Sequence, residues 1–278
     1  MRLHTYMISC LMTVTFFYTG VATGQEVPPQ PSSCTSLTAS GNSEYPPFLW
    51  RESPTSIELN GVNRFIIDEL SQRINIPIKL IHVGPWSRAQ TEVKNGRIDL
   101  MAGAFYTNER ADYMDYFTPV MLHTTSVVWQ RKDKMFLFNK KEDLEGKWGV
   151  TVINNSFGQE FDQYAQRKLN ILAVASLSQA LRMLETDRVD YVLYEKNPAY
   201  AYATMMGLSE TIVPVMPNIS SEGLYLTMSK QSSCNDSSIK RRIAIALQEM
   251  KQDGFTEKAL VDGVQKWEAR SRVGLSLK

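Results

Sequence analysis

Two short segments of this chain are written to one pattern. Asn95-Gly96-Arg97-Ile98-Asp99-Leu100 and Asp187-Arg188-Val189-Asp190-Tyr191-Val192 each follow a stretch with helical spacing and each run into apolar residues. Both carry Arg-(Ile/Val)-Asp at the junction, and their aspartates, Asp99 and Asp190, lie 91 positions apart. That distance is about the size of a small α/β lobe. A helix, a tight polar turn and a buried strand, repeated that far apart, predict two similarly built lobes and not a short tandem repeat.

The rest of the pattern fits an alternation of strands and helices. Strands are expected at Leu37–Ser40, Ile76–Val83, Ile98–Met101, Val127–Trp129, around Val150, at Tyr191–Tyr194 and at Glu222–Met228. Val62, Phe65, Ile66, Leu70 and Ile74 have helical spacing, as do Ala180, Leu181 and Leu184. Ser87 is the expected N-cap of a helix that Gly96 stops. Gln159–Arg167 and the stretch from Ile239 through Met250 to Trp267 read as further helices. Strands alternating with helices imply mostly parallel sheets with helices on their faces.

Met1–Gly24 reads as an export signal: Arg2, a largely apolar run from Met7 to Tyr18, and small residues ahead of Gln25. Residues 25–33, rich in Pro, Gln and Ser, read as a flexible leader. No later segment is long and apolar enough to span a bilayer, so a soluble, exported protein is expected. The whole chain has 30 basic and 29 acidic residues; without Arg2 the balance is 29 to 29. A neutral chain is poorly suited to nucleic acid or an anionic membrane surface. Two of the three cysteines, Cys34 and Cys234, follow the signal. An oxidising compartment favours their pairing, with two free thiols as the alternative.

The most informative stretch is Gly96–Pro119. A short strand and small residues lead to Thr107-Asn108-Glu109-Arg110, which sets a guanidinium just past a strand's carboxyl end. Ligands bind at that place in open α/β sheets, and the planar fork of Arg suits a carboxylate. The plain alternative pairs Arg110 with Asp112 or Asp115 on a solvated turn.

Gly-Arg-Ile-Asp-Leu, Thr-x-Glu-Arg, Met114-Asp115-Tyr116 and Pro119, with Glu44-Tyr45-Pro46-Pro47-Phe48 near the start, resemble the signature of the family 3 bacterial extracellular solute-binding proteins. The resemblance implies a type II periplasmic binding protein fold, with two lobes joined by a two-strand hinge. Residues 34–126 with 222–278 would form lobe 1, and 127–221 lobe 2. It further implies a monomeric periplasmic receptor that captures an amino-acid-like ligand for an ABC transporter permease in the inner membrane, with no cofactor and no metal.

By position, Arg110 corresponds to the Arg that clamps the ligand carboxylate, and Tyr45 and Trp86 to the aromatic walls. Ser156 and Phe157 fall on the second-lobe loop that meets the carboxylate, and Glu195 on the residue that holds the ligand amine. Two departures stand out. Phe105 replaces the Ser or Thr expected five residues before the Arg, and Glu195 replaces an Asp. Both place an ordinary α-amino acid in question. With the lobes apart, Arg110 and Glu195 are expected to face water. A dehydratase-type enzyme on the same fold and a stand-alone periplasmic sensor are the competing functions. Neither a Gly-x-Ser-x-Gly motif nor a metal-ligand cluster supports the enzyme, and only His82 and His123 follow the signal.

Overall fold

The two aspartates of the repeated turn do the same work in each half of the molecule. Asp99 accepts the backbone N–H of Thr38 at 2.7 Å and its hydroxyl at 2.8 Å, and the Ser232 hydroxyl at 2.5 Å. Asp190 accepts the backbone N–H of Trp148 at 2.7 Å. Each aspartate's own N–H then donates to the carbonyl of the same residue, Thr38 or Trp148. A turn carboxylate therefore pins the first strand of its half beside the strand that follows the turn.

This computed structural model describes residues 34–276; the expected export signal at 1–24 and leader at 25–33 lie outside the described residues. The first half contains β1 (Leu37–Ser40), a small antiparallel sheet of β2 (Glu44–Tyr45), β3 (Leu49–Arg51) and β4 (Leu59–Asn60), and α1 (Val62–Arg73). It continues through β5 (Ile78–Leu80), α2 (Trp86–Lys94), β6 (Leu100–Ala104), α3 (Asn108–Ala111) and β7 (Met114–Tyr116). After β8 (Leu122–Arg131), the second half holds β9 (Trp148–Val152), α4 (Gln159–Lys168), β10 (Asn170–Val174), α5 (Leu177–Glu185), β11 (Tyr191–Glu195) and α6 (Lys196–Met205). The chain returns along β12 (Ile212–Ser229) and ends in α7 (Ser237–Gln252) and α8 (Phe255–Ser276).

The main sheet runs β10-β9-β11-β8-β12-β6-β1-β5, with β7 also on β12. Pairing is parallel within β5-β1-β6 and within β10-β9-β11, and antiparallel wherever β8 or β12 takes part. One long ribbon, β8 against β12, thus joins two parallel halves. β8 pairs with β11 over Ser126–Trp129, while β12 pairs with β6 over Tyr225–Met228. This is the two-lobed, two-crossing arrangement that allows closure around a ligand.

The helices bury the faces their spacing predicts. Val62, Ile66, Ile67 and Leu70 of α1 and Leu177, Ala180, Leu181 and Leu184 of α5 are all buried. Each fully buried Leu or Ile contributes roughly 1.5–3 kcal/mol relative to exposure. Three details differ from the sequence reading. The strand after Gly96 starts at Leu100 and runs through the small residues to Ala104, because Asp99 is committed to the turn. Ser87 is not the N-cap of α2: Trp86 is already helical, and the Pro85 carbonyl accepts from Arg88 and Ala89 at 2.9 and 3.1 Å. The hinge strands are also longer than the apolar runs at 127–129 and 222–228, because half of each strand is polar ribbon.

A disulfide joins Cys34 to Cys234, tying the residues ahead of β1 to the loop before α7 across a sequence separation of 200. Constraining so long a loop in the unfolded chain is worth on the order of 3–5 kcal/mol. The Cys34→Ser/Cys234→Ser double variant should lose about that much stability in urea titration. Thiol labelling of the denatured, unreduced protein should find no free thiol among these two; an unchanged urea midpoint, or two labelled cysteines, would contradict the assignment.

Candidate functional site

Arg110 is the third residue of α3, a single turn capped by the Thr107 hydroxyl, which accepts the Arg110 N–H at 3.2 Å. The cap aims the side chain back under the end of β6, where it is only 5 % exposed. Its two terminal nitrogens donate to the Phe105 carbonyl at 3.1 Å and the Asn154 carbonyl at 2.8 Å. Its guanidinium carbon stands 5.4 Å from the centre of the Trp86 ring. It does not form the turn ion pair; Asp115 is held by Lys240 at 3.1 Å and by Asn235 at 3.2 Å. The charge is therefore satisfied by peptide dipoles and a π face, with no carboxylate hydrogen-bonded to it.

Glu195 ends β11 on the opposite half and is 1 % exposed. Burial pushes its carboxyl up to about 7, against the lowering pull of its own N–H, of Asn155 and of Arg110. Burial, Glu195 and Tyr194 together hold the Tyr45 hydroxyl well above its ordinary value. Glu195, Arg110, Tyr45, Trp86 and Phe105 border one small cavity of about 20 Å³ between the halves. That is room for about one water. Three buried polar atoms on its wall lie outside good hydrogen-bond geometry, Glu195 Oε2, Asn63 Oδ1 and Asn155 Nδ2, although Asn155 is near enough to act on the Glu195 carboxyl. The floor is Ala102-Gly103-Ala104. A Cβ at Gly103, whose φ is +109°, would come within 2.4 Å of Leu224 and 3.0 Å of the Asn63 amide nitrogen.

Larger spaces open on both sides of this cavity. One, about 400 Å³, has Glu44, Trp50, His82, Trp86, Tyr202 and Trp267 on its walls. The other, about 540 Å³, runs past Gln90, Arg110, Asn154, Ser156 and Asp162. The charged centre is tight and the room lies beside it.

The halves are held together by polar contacts around that centre. Asn42 donates to the Tyr194 hydroxyl at 2.9 Å, and Glu44 accepts the first N–H of α5, from Leu177, at 2.9 Å. The Asn108 N–H donates to Gln159 at 3.0 Å. The Asn154 carbonyl receives Trp86 Nε1 at 3.1 Å and Gln90 Nε2 at 3.2 Å as well as Arg110. Arg110 and Glu195, expected from sequence to face water between separated lobes, are both dry in this closed conformation.

The remaining residues singled out in the sequence sit near the cleft with their polar groups engaged. The Ser156 hydroxyl bonds Asp162, and the Phe157 N–H donates to the same carboxylate at 2.8 Å. The Phe157 ring packs in the core of the second half, 5.8 Å from Phe161. Asn42, Asn63, Gln90, Asn154 and Asn155 carry much of the site and are not among the residues singled out in the sequence. Polar residues buried on helix and loop faces are unusual enough that Gln90, inside an otherwise helical register, was the available signal.

The sequence matches the bacterial extracellular solute-binding proteins, family 3, over residues 37–263. The chain belongs to that family. A search of curated protein sequences found no match. Among solved structures, a histidine kinase sensor domain with similarity to periplasmic binding proteins superposes with a TM-score of 0.70 at 18 % identity, covering 83 % of this chain and 96 % of that one. A variant of ArgBP from T. maritima gives 0.68 at 19 %, covering 84 % and 96 %. The amino acid ABC transporter substrate-binding protein AbpA from Streptococcus pneumoniae, bound to L-arginine, gives 0.68 at 16 %, covering 84 % and 96 %. At these identities the likeness establishes the fold, a type II periplasmic binding protein.

The buried Glu195 carboxyl sets a pH dependence with a definite sign. Its acid form is favoured in the folded protein up to about 7, while the unfolded chain ionises near the ordinary glutamate value of 4.5. Between those limits the unfolded state binds fewer protons, so stability falls as pH rises and levels off above about pH 7. Glu195→Gln removes the ionisable group and should melt higher than the wild type at about pH 8, by roughly 3 kcal/mol at most, with the gap closing near about pH 5. Parallel melting curves for the two proteins across that range would show no convergence if Glu195 faced solvent.

Proposed function

We propose that this family member captures an amino-acid-like zwitterion between its two lobes, with Arg110 holding the carboxylate and Glu195 the amine. Residues 34–126 with 222–278 form lobe 1 in this reading, and 127–221 form lobe 2. The observation that carries it is the pairing of two buried, opposite groups on opposite halves of one cleft. Arg110 is satisfied by two carbonyl dipoles and the Trp86 π face with no carboxylate hydrogen-bonded to it, and Glu195 Oε2 makes no hydrogen bond of good geometry. A buried charge gains most from an opposite charge that arrives with hydrogen bonds, so each group is suited to one end of a zwitterion.

The extra methylene of Glu195 and the ring of Phe105 both take space from the centre, which leaves about 20 Å³ in this conformation. The ligand's body therefore has to lie beside the centre, with the lobes parting enough to admit its two charged ends. The chamber of about 400 Å³ walled by Trp50, Trp86, Tyr202 and Trp267 is of the size that holds small ligands. Its aromatic walls and the Glu44 carboxylate favour an elongated, partly apolar or cationic side chain. Tyr45 and Trp86 then form the rim between charged ends and body.

Export to the periplasm and delivery to an ABC transporter permease complete the reading, and binding proceeds without turnover. A second reading, reporting ligand to a membrane-bound sensor, is favoured by the likeness to a histidine kinase sensor domain. Co-purification with a permease or with a kinase separates the two.

Calorimetric titration with L-arginine, L-glutamine and L-glutamate, each beside its deaminated analogue, tests the assignment of ends. Arg110→Ala should weaken binding of every carboxylate that binds, by roughly thirtyfold to several thousandfold. Glu195→Gln should weaken only the compounds that keep the amine. Normal binding by Arg110→Ala would place the carboxylate elsewhere.

A further inference from the structure

Three donors of the first half point at a single oxygen of the second. Trp86 Nε1, Gln90 Nε2 and an Arg110 terminal nitrogen meet the Asn154 carbonyl at 3.1, 3.2 and 2.8 Å. Trp86 and Gln90 are four residues apart on α2, so they share one helix face, and Arg110 comes from α3 beside them. All three residues are about 95 % buried. The Tyr113 hydroxyl lies 3.5 Å from Gln90 Oε1, which turns the amide nitrogen toward the shared oxygen.

The occupant is a poor match for such a seat. A peptide carbonyl is neutral and has two lone pairs for the three donors that meet it. It reaches the seat from an exposed residue, and Asn154 adopts φ +60° to deliver it. A carboxylate oxygen has the same number of lone pairs but carries charge, so it answers converging donors, one of them cationic, better than the neutral carbonyl does. A second observation points to a ligand in the adjoining cavity, which Trp86 and Arg110 border and Gln90 and Asn154 do not. Across that cavity, the buried Glu195 Oε2 makes no hydrogen bond of good geometry.

We propose that Gln90 and the indole of Trp86 are ligand-binding donors that complete, with Arg110, a three-donor seat for a carboxylate oxygen, and that the chain's own Asn154 carbonyl fills this seat in the closed conformation and yields it to the ligand. The proposal deepens the zwitterion reading and rests on it for the identity of the incoming oxygen. Gln90 then adds a directional donor for the incoming oxygen, while the preference for a carboxylate over a carboxamide comes from the Arg110 charge. The Asn154 loop acts as a competitor. Apparent affinity is the intrinsic affinity reduced by the fraction of molecules in which the seat is open.

The test uses the exported form of the full protein and four probes: acetate, L-arginine, L-glutamine and L-glutamate. Two quantities are read for each: the Nε1–H resonance of Trp86, identified by its loss in Trp86→Phe, and the dissociation constant in wild type and Gln90→Leu. The expected result is that every carboxylate that binds moves the Trp86 resonance, and that Gln90→Leu binds it about ten- to hundredfold more weakly. The carboxamide of the same probe should bind wild type more weakly than the acid, and Gln90→Leu should weaken both. Gln90→Glu, which places a carboxylate near the seat, should bind worse than Gln90→Leu while still folding. Binding of an amino acid with an unmoved Trp86 resonance, or with unchanged affinity in Gln90→Leu, overturns the seat and leaves the zwitterion reading standing. Acetate that moves the resonance while no amino acid binds supports the seat and overturns the reading. If none of the four moves it at any attainable concentration, the seat is wrong.

Discussion

A guanidinium removed from water sets the terms for the rest of the cleft. Arg110 is 5 % exposed, and a buried cation that lost its acceptors would cost several kcal/mol. Its acceptors are the Phe105 carbonyl on its own side and the Asn154 carbonyl from the other half. The second of these is available only when the halves are together. Closure and the solvation of Arg110 are therefore one event. The neighbouring features follow: Trp86 supplies its π face to the same charge, Gln90 fills the remaining approach to the same oxygen, and the Thr107 cap fixes the backbone from which Arg110 projects.

Glu195 answers to the same constraint from the other side. It is more deeply buried than Arg110 and the two interact, yet the pull of Arg110 is smaller than the effect of burial, so the carboxyl stays protonated up to about 7. A direct ion pair would have reversed that order. Two opposite groups facing one cavity without joining is the arrangement expected of a site whose partner comes from outside. A purely structural pair would gain by closing the gap, because a buried charge is worth most when its hydrogen bonds are complete.

The parts of this molecule legible in the sequence are those whose chemistry is local. The Arg-(Ile/Val)-Asp turns were visible because turn, strand and helix follow one another within a dozen residues, and their aspartates pin β1 and β9 in matching ways. Arg110 was visible because strand, small residues and a capped turn precede it directly. Asn154 was not, because its contribution is a backbone carbonyl used by residues 44 to 68 positions away. No side-chain pattern encodes that. Ser156 and Phe157 show the converse. The resemblance puts both on a loop that meets the carboxylate, but Asp162, one turn into α4, takes both the Ser156 hydroxyl and the Phe157 N–H. The capping role of that loop is thus satisfied from within the helix, and the residue left to face Arg110 is the one just before it. The length of β8 and β12 was hidden for a related reason: the rest of the ribbon is polar in composition, buried as at Thr124 and Ser126 of β8 or partly exposed as in the first part of β12, so only the stretches paired with β11 and β6 read as apolar strands.

What remains is why a receptor would close on itself. Besides the Asn154 contacts, Asn42 reaches Tyr194, Glu44 caps α5 and Asn108 reaches Gln159. Each is a neutral or singly charged hydrogen bond whose net worth is modest, because separation exchanges it for water. A set of such contacts makes the closed form accessible without making it permanent. Ligand shifts that balance only through contacts that differ between the two forms. If Arg110 holds a ligand carboxylate, as proposed, the difference there is a change of acceptor, from a neutral carbonyl supplied by the chain to a charged oxygen supplied by the ligand. The net gain is the difference between those two acceptors, less whatever the Asn154 loop loses on moving. A ligand lacking a carboxylate would displace the carbonyl and return nothing better. In this way the self-contact sharpens discrimination at the expense of affinity, and the same three donors serve both states of the cleft.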